Sequence, residues 1–173
     1  MRFVLASALL FATACSSMTG GAATGRMPEG DIAAIVSAAN EGEIEQGNVA
    51  ASRATSGEVR AFGQMMVADH TQALNMGRDV FTRNGITPSE NATSEQLRAS
   101  SRTSVSNLNR YSGRDFDRRY MQSQVDLHQW LLTNLDQLLI PSARNAEVRQ
   151  LLTTQRASVA THLEQARAIL GRL

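Results

Sequence analysis

EVRAFGQMMVADHTQALNMGRD, residues 58–79, places apolar side chains at Val59, Phe62, Met66, Ala73 and Met76, with Val80 next in step. That three-and-four spacing is one face of an α-helix and matches no strand alternation. Asp69 falls on the same stripe, and His70, one of only three histidines, lies at its edge. A long helix is expected here, turning a charge-capable pair toward neighbouring helices.

The flanking segments carry the same period. Upstream, Asp31 is placed to cap a helix in which Ile32, Val36, Ala39, Glu43, Gln46, Ala50 and Arg53 recur at helical spacing, with Glu43 on the inward stripe. Thr55, Ser56 and Gly57 separate this helix from the one that follows, which should end near Gly85, making a helical hairpin. Pro88 marks a connection, and Thr93 to Gln96 has capping-box spacing, so a short, weakly apolar helix should cross over the bundle. A third long helix from about Asp115 carries Met121, Val125, His128, Leu132, Leu135 and Leu139, and Pro141 is expected to end it. A last one from about Ala143 carries Val148, Leu152, Gln155, Val159, His162, Ala166 and Ile169, stopping at Gly171. The sum is an all-α fold, an up-down four-helix bundle with one extra short crossover helix, spanning residues 31–171.

Composition agrees: 173 residues suit one domain, and 42% hydrophobic content with 5% aromatics and three prolines suits helices. All 17 basic residues are arginine, but they alternate with 16 acids, so no basic face is offered and a nucleic-acid partner is excluded. MRFVLASALLFATAC begins with a basic residue and an apolar run too short to span a bilayer, then small residues ahead of Cys15. Residues 1–14 are read as a signal peptide. Cys15, the single cysteine, resembles the lipidated residue of a bacterial lipoprotein, although Ala12 stands where leucine is usual; an ordinary secretory cleavage is the alternative. Residues 15–30, rich in Gly, Ser, Ala and Thr, form a tether. The expectation is an exported protein, either anchored to the outer membrane through its N-terminal lipid and facing the periplasm, or free in the periplasm.

Counting along helices that rise about 1.5 Å per residue puts Glu43, His70 and His128 in one layer if both hairpin turns share an end, with Asp69 and Met66 within a turn. His162 falls roughly 12 Å away, near Tyr120 and Asp117. Two imidazoles and a carboxylate are a common transition-metal ligand set, with Asp69 and Met66 as extra donors. The other reading is a buried layer in which the acids accept hydrogen bonds from the histidines. Met65, Met66, Met76 and Met121 invite a copper reading, yet thioethers at helical spacing are ordinary core, and Trp130 reads as a packing anchor. No phosphate loop, Ser-His-Asp order or zinc-finger spacing occurs, so classical enzyme signatures are absent.

Three stretches look familiar together: EIEQGNVAASRATSGEVRAFGQMMVADHTQA from Glu43, FDRRYMQSQVDLHQWLL from Phe116, and His162-Leu163. They resemble a bacterial family of exported proteins with an uncharacterised ferritin-like domain, commonly labelled outer membrane proteins, over about Asp31 to Leu170. The resemblance implies an exported ferritin-like bundle and no established catalysis. True ferritins pair glutamates with Glu-x-x-His motifs; here Val67, Val125 and Val159 stand three places before the histidines, so a di-iron centre is not expected. What remains is at most one mixed histidine and carboxylate site. The functional expectation is non-enzymatic, metal binding or a role in envelope stress, with a mononuclear metal enzyme and a purely structural envelope protein as alternatives.

Overall fold

A computed structural model describes residues 26–173, whose regular elements are all helical, with no strand among them. The expected signal peptide, Cys15 and most of the tether lie outside the described residues. Helices α1 (Glu29–Arg53) and α2 (Gly57–Arg83) form the first hairpin, and α3 (Ala92–Leu108) is the crossover. Helix α4 (Gly113–Asn134) runs on through a π-helical segment, Leu135–Leu139, and a final turn, Ile140–Ser142, before α5 (Ala146–Leu170) closes the second hairpin.

Each start has a local cause. Ser56 accepts a hydrogen bond from the Val59 nitrogen, and Asn145 accepts from Glu147 and Val148, satisfying amides that a helix start leaves orphaned. Asn91 and Ser94 form the capping box of α3, two residues earlier than the Thr93–Gln96 spacing suggested. Helix α1 begins at Glu29 behind Pro28, without a side-chain cap, so the expected role of Asp31 is not realised. Gly85 and Gly113 have φ of 66° and 59°, left-handed values that glycine adopts without strain, at the end of α2 and the start of α4.

Contacts at the ends set the topology. Asp117, at the start of α4, accepts from the Thr55 and Ser56 nitrogens at 3.0 and 2.8 Å, pinning the first hairpin turn. Glu29, at the start of α1, accepts from the Arg144 and Asn145 nitrogens at 2.6 and 2.8 Å, pinning the second. The two hairpin turns are therefore at opposite ends, not the same end. Helix α3 lies along α1 and parallel to it, from Asn91 beside Asp31, through Ser101 beside Gly42 and Ser104 beside Gln46, to Leu108 beside Arg53. It carries the chain the whole length of the bundle, and at 17 residues it is longer than expected.

Helices α1 and α2 approach most closely at Gly47 and Gly63. A Cβ on Gly63 would sit 2.8 Å from the Ala51 nitrogen, so only glycine fits the crossing. With α2 on one side and α3 on another, α1 is buried around most of its girth: Ile32, Ala33, Ala34, Ile35 and Val36 are all in the core. Two apolar clusters result. One, at the α4–α5 turn end, gathers Ile35, Val80, Leu131, Leu135, Leu151 and Leu152. The other, at the opposite end, gathers Val59, Phe62, Met66, Phe116, Tyr120 and Met121. Between them lies a polar layer.

Candidate metal centre

The layer contains all three histidines. His70 from α2, His128 from α4 and His162 from α5 are buried, with ring centroids 5.4 to 6.0 Å apart. One ring nitrogen from each lies within 4.8 Å of the others. The expected separation of His162 from the layer is therefore overturned. The α4–α5 turn centres near Arg144, because the helix runs past Pro141 to Ser142; His128 lies 16 residues before it and His162 18 after. That offset is only about 3 Å of rise, and the wider π-helical turn absorbs a residue as well. Nor does His162 pair with Tyr120 or Asp117: Asp117 is engaged with the first hairpin turn.

Hydrogen bonds settle which nitrogen of each ring carries the proton. The Asn40 amide donates to the Val36 carbonyl at 2.8 Å, so its oxygen faces His70 and accepts from Nδ1 at 2.9 Å. His128 Nδ1 donates to the Gln124 carbonyl at 2.9 Å. His162 Nε2 donates to a carboxylate oxygen of Asp69 at 3.0 Å. Each imidazole is thus tied by one N–H to a fixed acceptor from behind. The other nitrogens, Nε2 of His70, Nε2 of His128 and Nδ1 of His162, are buried lone pairs with no partner. Ligating histidines are held in this manner, the outer acceptor fixing ring orientation and raising ligand basicity.

Electrostatics push the same way. Burial, reinforced by His128 and His162, lowers the His70 pKa to about 3. Burial lowers His128 to about 4, against the opposing bond to the Gln124 carbonyl. His162 is also lowered, by burial first, with Asp69 opposing. The three rings are neutral at neutral pH, the form that binds a metal.

The other expected donors are placed differently. Glu43 is fully buried, 3.5 Å from His128 Nδ1, on the protonated edge of that ring and outside the three-nitrogen group. Burial pushes its carboxyl up to about 7, with Gln124 and His162 pulling the other way. The Gln124 side chain is near enough to favour the Glu43 carboxylate, but no hydrogen bond of good geometry closes for either Glu43 oxygen, for either polar atom of Gln124 or for the Tyr120 hydroxyl, and Glu43 helps to raise the Tyr120 pKa. Asp69 is not turned inward as its stripe suggested. It is about half exposed and stands behind His162 as an acceptor. Met66 packs in the apolar cluster with Phe62 and Phe116. Met76 and Trp130, expected inside, are 42% and 39% exposed.

Of nine buried side-chain polar atoms without a partner among the described residues, seven belong to this layer and an eighth is the hydroxyl of Tyr120 from the adjoining apolar cluster. Each such atom costs about 1–3 kcal/mol. A concentration of them at one level suits a site built to receive something. Beside it a cavity of about 320 Å³ reaches His70 and His162 from the surface between α2 and α5.

Residues 15–169 match the model of a family described as a domain of unknown function, DUF4142. The chain belongs to that family. No curated protein and no solved structure matches it. The DUF4142 match takes in all three histidines, Glu43 and Asp69. No described helix is long and apolar enough to cross a membrane.

Proposed function

We propose that this protein holds a single transition-metal ion in the core of its bundle, bound by Nε2 of His70, Nε2 of His128 and Nδ1 of His162. The observation that carries the proposal is that three imidazoles bring one nitrogen each within 4.8 Å of the others while each ring, bonded through one N–H, keeps one buried lone pair without a partner. A hydrogen-bonded layer would leave those nitrogens occupied. Three imidazoles suit zinc, copper, iron or nickel, and drawing the nitrogens to about 2.0–2.1 Å from one ion asks for a modest contraction. Glu43, on the far side of His128, is an outer group rather than a first ligand, and it would compensate part of the ion's charge. Two hairpins joined by a lengthwise crossover support a ferritin-like reading of the topology, without the ferritin carboxylates.

The role is binding rather than catalysis, in the bacterial envelope. The leader through Cys15 supports export and attachment by an N-terminal lipid, and Cys15→Ser should move the protein from membrane to soluble fractions; an unchanged membrane fraction excludes the anchor. A mononuclear metal enzyme is the second reading, favoured by the cavity that reaches His70 and His162.

Elemental analysis after stripping and reloading the purified protein tests the site. One zinc or copper per chain is expected, with stability raised by about 2.7 kcal/mol at a hundredfold excess over Kd. His70→Ala, His128→Ala and His162→Ala should each abolish the gain. Less than about a tenth of an ion per chain after reloading ends the proposal, since a site that binds one ion fills under excess.

A further inference from the structure

The cavity beside the histidines has a division of chemistry along its length. Its walls are apolar: Ile35 and Val36 from α1, Leu131 and Leu135 from α4 and its π-helical extension, Leu151 and Val159 from α5. Its inner end is His70, His162 and Asn40. It meets solvent at a mouth of exposed lining residues, Asp69, Gln72 and Met76 on α2 and Thr154 and Ser158 on α5, with Gln155 donating across to the Ala73 carbonyl at 3.4 Å. At about 320 Å³ it is near the lower limit of small-molecule sites, the volume of about ten waters. The π-helical segment contributes Leu135 and Leu139 to this wall, and such segments recur at ligand sites.

We propose that this cavity binds a small carboxylic acid with an apolar body, its carboxylate completing the coordination of the ion held by the three histidines. The inference rests on the metal reading above. Three neutral imidazoles, with Glu43 only an outer group, leave most of a divalent ion's charge uncompensated on the side that faces the apolar walls of the cavity, where unpaired charge is costly. Asp69 stands behind His162 and Glu43 behind His128, so neither fills the side of the ion that faces the cavity. An anion entering from the mouth would fill it, and carboxylate oxygen is an accepted ligand of such ions. The six aliphatic walls then take the body of the acid. A sugar or peptide would find no polar partner along those walls. Among the residues lining the cavity, Asp69 is the only carboxylate and there is no lysine or arginine. Without the ion, therefore, nothing attracts an anion and Asp69 repels it.

Calorimetric titration of octanoate into the zinc-loaded and the metal-free protein tests this, with octanol as the uncharged control of equal length. Saturable octanoate binding to the zinc form is expected, with binding at least about tenfold weaker for the metal-free protein and for octanol. Ala73→Phe and Ser158→Trp, on opposite lips of the mouth, should each weaken octanoate by about tenfold or more while zinc content stays at one per chain. A zinc-loaded protein that does not bind octanoate saturably overturns this inference and leaves the metal site standing. Equal binding of octanoate and octanol, indifferent to zinc, overturns the coordination. Failure to take up zinc overturns both.

Discussion

Two neighbouring levels of the core are equally buried and differently made. At one, Phe116 stacks on Tyr120 with ring centroids 6.5 Å apart and Phe62 meets the same tyrosine edge-on at 6.2 Å, while Met66 and Met121 fill the gaps. These side chains pack against one another in a single apolar cluster. At the other, three imidazoles come within 4.8 Å of one another through one nitrogen each, and the stabilisation that packing gives the first level is offset by buried polar atoms without hydrogen bonds. The contrast teaches that burial alone does not say what a layer contributes. One level is there for stability, and the other is tolerated because of it.

Truncating each level in the metal-free protein separates the two most strongly. Phe116→Ala should cost about 3–5 kcal/mol in chemical denaturation, because it deletes a fully buried ring and leaves a cavity. His128→Leu should lie within about 1 kcal/mol of the parent, since the bond lost from Nδ1 is offset by removing the unsatisfied Nε2 and the side chain is replaced by an apolar one of similar size. Equal losses would mean that the histidine level is structural scaffold.

The two levels also differ in how their stability depends on pH. In the metal-free fold His70 and His128 titrate near 3 and 4 rather than 6.5, so the unfolded chain binds more protons and stability falls as pH drops below 6.5. Glu43 has the opposite sign: raised from 4.5 to about 7, it costs stability as pH rises through that interval. Between about pH 5 and 6 the two effects oppose each other. Glu43→Gln removes one of them and should steepen the rise of stability with pH by about 1.4 kcal/mol per unit, one proton's worth. Met121→Leu, in the apolar level, should leave the slope where it is. An unchanged slope for Glu43→Gln would mean that this carboxyl does not hold its proton in the fold.

Much of the first level and half of the second are legible in the sequence, for a definite reason. Periodicity reports which side of a helix faces in, and it places Phe62, Met66, Met121, Glu43, His128 and His162 inside, where the structure has them. It fails where a helix has more than one neighbour or lies at an edge. Helix α1 is buried past its single stripe because α3 covers its second side. Ala73 and Met76 line the mouth of a cavity instead of filling a core, and Asp69 and His70, adjacent in sequence, divide between surface and interior. Height is harder still. Pro141 reads as a stop, yet a proline is tolerated in the first turn of a helix, and here it lies in the last helical turn beyond a π-helical segment that no local pattern announces. That displacement of the turn hid His162 from the site. A count allowing the helix one more turn would have aligned it.

The smallest expected effect concerns the acceptor behind His162. Asp69 Oδ2 receives the Nε2 proton at 3.0 Å and is itself about half exposed, so its charge is only partly shielded from solvent. If His162 Nδ1 is a metal ligand, the negative acceptor raises the basicity of that nitrogen through the ring, as outer carboxylates do for ligating histidines. Asp69→Asn keeps an oxygen that can accept the bond and removes the charge. Zinc affinity should fall about tenfold, near the lower limit for such changes, because solvent already screens the carboxylate. Metal-free stability should change by less than about 0.5 kcal/mol, as for most surface substitutions. Asn40, behind His70, is uncharged, so Asn40→Asp is the reciprocal experiment: affinity should rise if the acceptor's charge is what matters. Competition titrations with a chelator read both. A loss in Asp69→Asn without a gain in Asn40→Asp would assign the carboxylate to orienting the ring, and no change in either would remove His162 from the ligand set.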